Sequence, residues 1–184
     1  MPTWTPWGMA DQSKKIARGI VFYSTPGHGG FKITEKRFQE MPDAIKKAIP
    51  KHRYYLWFEK DDAFCLVMLS FPSFFQESDI DCAKKTLKNW YPDIYEAFFE
   101  EIIPEGESLE KDNRLFLERN KDNYVVISAS CNDSAPELVR AIATKGGQRD
   151  DGVERKIFLV PVSEYRERSR FGFVIDLNRH QEST

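Results

Sequence analysis

The residues best suited to chemistry stand together in Ser24-Thr25-Pro26-Gly27-His28-Gly29-Gly30-Phe31. Thr25 and His28 supply a hydroxyl nucleophile and a base by residue type, although their spacing within a turn is not a catalytic signature. Gly27, Gly29 and Gly30 can take positive φ or admit a close backbone or ligand. That freedom suits a nest of backbone N–H groups around an anion, with His28 as proton donor or acceptor. A wide hairpin turn that leaves His28 exposed accounts for the same residues. Both readings stay open at this level. The candidate binding residues of the stretch are Ser24, Thr25, Gly27, His28, Gly29 and Gly30. His28 and Thr25 are candidates for catalysis, without either being assigned to it.

A second glycine-rich stretch, Lys145-Gly146-Gly147-Gln148-Arg149, adds Lys145 and Arg149 to the candidate binding residues. It lacks the Gly-x-x-x-x-Gly-Lys-Ser/Thr order of a phosphate loop, and a hairpin turn with two exposed cations explains it as well. Arg166, Arg168 and Arg170 alternate with Glu167 and Ser169. They either grip phosphate or carboxylate, or form a solvated face. The histidines are His28, His52 and His180, with no His-Glu-x-x-His pair, so no metal site and no cofactor are expected. Cys65, Cys82 and Cys131 are an odd, scattered set without a Cys-x-x-Cys pair. They point to free thiols, a reducing compartment and the cytoplasm.

The elements that must position these groups follow from spacing. Val21-Phe22-Tyr23 and Phe31-Lys32-Ile33 read as strands on either side of the first loop, with Pro26 ending the first. Trp4 and Trp7 are expected to pin the amino terminus, and residues 9–18 to form a helical turn before Gly19. Thr34 caps a helix whose apolar face carries Phe38, Met41, Ile45 and Ile49, broken near Pro42. Lys46, Lys47, Lys51, His52 and Arg53 then make a basic helix end that suits the helix dipole.

Residues 54–58 read as a strand, and residues 61–69 as a helix apolar on most sides, capped by Asp61 or Asp62 and central to the core. A helix from Ser78 is split by Pro92. Residues 103–111 read as a solvent loop, and 109–120 as either a short helix or the first arm of a hairpin, with the helix preferred. Strands follow at 124–129, 138–144, 156–160 and 171–175, with a helix capped by Ser163 over 163–168. Helices gathered early and strands late indicate a single α+β domain over residues 1–177. Its mainly antiparallel sheet unites the N-terminal hairpin with the C-terminal strands and packs against helices from residues 34–120. Leu66, Met68, Leu69, Val126, Ile127, Phe158 and Phe173 are expected in one core, and residues 178–184 to fray.

At 184 residues the chain is long enough for a sizeable core, and its aromatic content of 14% supplies large side chains for it. A net charge of −2 argues against nucleic acid as a partner. The longest apolar run, 63–69, is too short to span a bilayer, and the chain opens without a secretory pattern, so no membrane partner is expected.

Pro6-Trp7-Gly8, Gly19-Ile20-Val21, Ser24-Thr25, His28-Gly29-Gly30-Phe31 and Met41-Pro42 resemble an uncharacterised domain family. Phe71-Pro72, residues 125–129, residues 158–161 and residues 171–176 are similar to it as well. Ser130 to Pro136 departs from its pattern. The resemblance implies carriage on a bacterial plasmid, prophage or integrative element, and supplies no known activity. The function expected is that of a mobile-element accessory protein, non-enzymatic, binding a host or defence-system protein. The alternative is a small enzyme acting on an anionic or nucleotide-like substrate, with His28 as acid or base.

Overall fold

A computed structural model describes residues 3–49 and 56–183. The chain divides into two compact units, Met1–Lys111 and Asp112–Thr184. The class is α+β with antiparallel sheets.

In the first unit, β1 (Trp4–Thr5) and β2 (Gly8–Met9) form a small hairpin. A four-stranded sheet then runs in the order β3 (Gln12–Ala17), β4 (Ile20–Ser24), β5 (Gly29–Ile33) and β6 (Trp57–Glu59). The expected helical turn at 9–18 is therefore corrected: most of it is the edge strand β3, with Lys14 and Lys15 exposed as befits an edge. The turn to β4 is made by Gly19 at φ +81°.

Thr34 caps α1 (Glu35–Glu40), its side chain accepting from the Arg37 N–H, and α2 (Asp43–Ala48) starts directly after Pro42. Lys51, His52, Arg53 and the start of the expected strand at 54–58 lie outside the described residues; its end is β6. Next, α3 (Phe64–Ser70) buries Cys65, Leu66, Val67 and Leu69, as its all-round apolarity demands. It packs between the sheet and α4 (Glu77–Trp90), which Pro92 separates from α5 (Pro92–Phe99). Residues 103–108 are tied down more firmly than a solvent loop. Ile103 and Ser108 are buried, the Ile103 N–H donates to Glu96, and Lys111 Nζ donates to both Glu96 and the Ile103 carbonyl.

The boundary between the units falls inside α6 (Leu109–Arg119). In the second unit, β7 (Tyr124–Cys131), β8 (Leu138–Lys145) and β9 (Lys156–Pro161) form a sheet extended by β10 (Gln181–Glu182) on β9. The chain turns from β9 into α7 (Val162–Arg166) at Pro161, two residues earlier than a Ser163 cap would give.

Three expectations are corrected. The N-terminal hairpin does not join the C-terminal strands, because β6 from its own unit closes the free edge of β5. Residues 171–175 form no regular strand: only isolated bridges, Ser169 to Gly172 and Val125 to Val174, stand there, and Gly172 sits at φ +149°. Of the tail expected to fray, the described residues 181–183 are held, since Gln181 and Glu182 pair with Leu159 and Phe158 and the Ser183 N–H donates to the Ile157 carbonyl. The apolar side chains accordingly form two clusters, one around Leu66, Leu69, Phe31 and Phe58, the other around Phe158, Val160 and Ala143.

Candidate functional site

The His28 loop joins β4 to β5, and the register is set by Ser24 opposite Gly29 and Tyr23 opposite Gly30. Inside it, Thr25 and His28 clamp each other through the main chain. The Thr25 N–H donates to the His28 carbonyl at 2.8 Å, and the Thr25 hydroxyl donates to that carbonyl and accepts from the His28 N–H. The hydroxyl thus acts on the turn itself, and its partners are backbone atoms rather than the imidazole. Thr25 is positioned as a turn clamp, not as a nucleophile facing its base.

The glycines are not there for positive φ. Gly27, Gly29 and Gly30 all keep ordinary φ, so the successive opposite-handed residues that make an anion nest are missing from this loop. Gly29 and Gly30 begin β5 and are buried. A Cβ at Gly30 would run into the Phe58 carbonyl oxygen and the Trp7 indole, and one at Gly29 would stand 2.8 Å from the Tyr23 carbonyl oxygen. Close approach of backbone and ring is what demands glycine. Trp7 therefore lies on the strand, edge-on to Trp57 at 5.7 Å, and does pin the amino terminus. Trp4 does not: it is 74% exposed.

Folding also brings β6 and the residues after it under His28. His28 Nδ1 lies 3.1 Å from Glu59 Oε1, with the imidazole 55% exposed. Lys60 N–H donates to the Gly29 carbonyl, fixing this segment against the loop. Among the described residues, His28, Glu59 and Asp61 bring one ligand atom each within 4.8 Å of one another, close enough to share a cation. One imidazole and two carboxylates suit a divalent transition metal by donor type. Sequence reading gave no sign of Glu59 and Asp61 as neighbours, because the pairing of β5 with β6 spans nearly thirty intervening residues.

Of the second set, Lys145 ends β8 and is exposed, and Gly146 and Gly147 take φ of +60° and +67° in the turn that follows. The buried Thr144 hydroxyl donates to the Gln148 carbonyl at 2.7 Å, which holds the chain just before Arg149. Arg149 lines a cleft that also takes Arg168 and Arg170, whereas Lys145 and Arg166 are not among its lining residues. The His28 loop belongs to the first unit and Arg149 to the second.

Two other reactive groups serve the fold. His180, expected in a loose tail, is buried: its Nδ1 accepts from the Asp176 N–H at 3.0 Å, so Nε2 carries the proton toward Glu164 Oε2 at 3.1 Å. Burial and the nearby Asp62 charge push the Cys65 thiol up to about 12, so it is not a thiolate nucleophile.

The family model described as Domain of unknown function (DUF7007) matches residues 1–121. No curated protein and no solved structure matches the chain. The matched residues include the whole His28 loop with Glu59 and Asp61, while the C-terminal segments that also carried the resemblance lie beyond them.

Proposed function

We propose, from the premise that this chain belongs to the DUF7007 family through residues 1–121, that it is a non-enzymatic binding protein. Its N-terminal unit engages a protein partner through the β1–β2 hairpin. One observation carries this reading: Trp4 and Met9 stand directly opposite each other across that hairpin, 74% and 51% exposed. Side chains directly opposite in an antiparallel pair share a face, so an indole and a thioether are presented together. Tryptophan is enriched among the residues that carry binding energy, and methionine adapts its shape to what it meets. Trp7, packed on Gly30 and Trp57 from the same hairpin, keeps the platform rigid, which lowers the ordering cost of association.

The resemblance to proteins of mobile elements makes a host or defence-system protein in the cytoplasm the partner to seek. The test uses the full chain as bait in its native host at low salt, then measures the affinity of the captured partner. Trp4→Ala is expected to weaken binding by about 10-fold or more, and His28→Ala to leave it unchanged. Equal binding by the Trp4→Ala protein, shown to be folded by its melting curve, would refute the reading.

A second reading is favoured by the Glu59 carboxylate on His28 Nδ1, which resembles the orienting partner of an acid–base histidine and leaves Nε2 for a substrate. Under it the protein is a small enzyme for an anionic or nucleotide-like substrate. His28→Ala would then cut turnover by about 100-fold or more.

A further inference from the structure

The second unit carries a cleft that none of the foregoing uses. It has a volume of about 490 Å³ and is lined by Arg149, Arg168, Arg170, Ser128, Tyr165 and Phe171 among others, with no carboxylate in its lining. That volume lies within the roughly 300–1,000 Å³ range of small-molecule sites.

Its construction brings together segments far apart in sequence. A bulge in β7 between Val126 and Ser128 forms one wall. Residues 168–172 form another, turned back by Ser169, whose hydroxyl donates to the Gly172 carbonyl and accepts from the N–H groups of Phe171 and Gly172. The Val126 N–H donates to the Phe173 carbonyl at 2.9 Å, fastening this turn to β7. Arg149 enters from the second glycine loop, whose exit is held by Thr144.

The guanidinium groups are poised rather than neutralised. Among the described residues, none of Arg149, Arg168 and Arg170 has a carboxylate within ion-pairing distance. Arg168 stacks on Tyr165 at 4.9 Å and donates to the Tyr165 carbonyl, and Arg170 lies 5.6 Å from the Phe171 ring. Three like charges lining one cleft that has no carboxylate in its lining favour an anion that joins them, although Asp150, Asp151 and Glu167 adjoin the arginines in the chain. Guanidinium groups present planar forks that match phosphate oxygens, and their faces stack on flat rings.

We infer that this cleft is a binding site for a nucleoside phosphate, with Arg149, Arg168 and Arg170 gripping the phosphoryl oxygens and the ring-backed arginines offering stacking faces to the base. It goes beyond the protein-binding role proposed above and uses a different unit.

The test is calorimetry on the full chain with ATP in low salt, with inorganic pyrophosphate, adenosine and a short single-stranded oligonucleotide as separate arms. ATP is expected to bind with an affinity that falls by about 10-fold or more in Arg149→Gln and in Arg168→Gln/Arg170→Gln, as loss of charge-assisted hydrogen bonds implies. Pyrophosphate should bind more weakly than ATP, and adenosine more weakly still. Amide chemical-shift changes on adding ATP to the unaltered protein should fall on residues 126–129 and 168–172, which localises the site without relying on a variant. No ATP binding at millimolar concentration, shifts confined to other residues, or affinity unaltered in both folded variants would overturn the inference. An oligonucleotide that binds tighter than ATP with the same arginine dependence would overturn the small-molecule assignment in favour of nucleic acid.

Discussion

At the scale of single residues, the His28 loop is governed by contact distances rather than by backbone handedness. Gly30 faces the Phe58 carbonyl and the Trp7 indole, whereas a Cβ at Gly27 would meet nothing within 4 Å. Gly30→Ala should therefore cost at least about 1–3 kcal/mol, the range for overpacking a filled site, while Gly27→Ala stays close to neutral. Urea melts of the pair check this, and equal losses would show that sterics at Gly30 are not the reason for glycine. The thiols make a second contrast. Cys65 is buried while Cys82 and Cys131 are exposed, and none is in a disulfide. Under native conditions an aromatic disulfide reagent should modify Cys82 and Cys131 readily and Cys65 only on unfolding, and reductant should leave the melting temperature where it was. Mass spectrometry after timed labelling reads the order directly.

At the scale of elements, α3 illustrates how a short helix becomes a core element. Seven residues are too few to be stable alone in water, so burial against the sheet and α4 has to hold it. Leu69 is 6% exposed within that packing. Leu69→Ala should cost about 2–5 kcal/mol. A loss below about 0.5 kcal/mol in a urea melt, well under the range for a buried leucine, would remove α3 from the core. Asp62 reinforces the start of the helix: it accepts from the Ala63 N–H and, at 2.7 Å, from the Tyr91 hydroxyl, linking α3 to the junction of α4 and α5.

For the whole molecule, two separate apolar clusters imply that damage to one core is felt unequally. Phe158 is 1% exposed at the centre of the second cluster. Phe158→Ala should lower hydrogen-exchange protection in β8 and β9 far more than in α3. Equal loss in both would reveal a single cooperative core. The charge pairs on the surface set the response to pH. Lys111 holds the Glu96 carboxyl below its ordinary range, and Lys46 does the same for Asp43. Their contribution is present above the ordinary carboxylate range and is lost as pH falls through the lowered folded values. Glu107, Glu118 and Glu182 raise Lys88, Lys121 and Lys156 above the ordinary 10.5, so that contribution is lost as pH rises through the raised values. Glu96 and Lys111 are half-buried, whereas each of the other pairs has at least one exposed partner, and salt should shrink the effects of those exposed pairs most. Melting temperature against pH for Glu96→Gln should show a shallower acid limb than the unaltered protein.

Local chemistry alone determined the punctuation of this chain. Thr34 caps α1 because a hydroxyl one residue before a helix satisfies an N–H within the same turn, and Pro42 and Pro92 divide helices because a missing donor acts where it stands. The strands at β7, β8 and β9, the all-round apolar α3 and the α+β class were legible for the same reason, since period and β-branching are read within a few residues. The exposed His28 on a hairpin was legible too, but the reason for its glycines was not, because the Phe58 carbonyl and Trp7 reach Gly30 from distant parts of the first unit. Tertiary structure likewise decided that β5 takes β6 as its neighbour, placing Glu59 and Asp61 at His28. It seated His180 under Glu164 and set Arg149 in one cleft with Arg168 and Arg170. Strand partners, close approaches and clustered charges depend on residues that meet only after the chain has folded back on itself, and no window of neighbouring residues contains them.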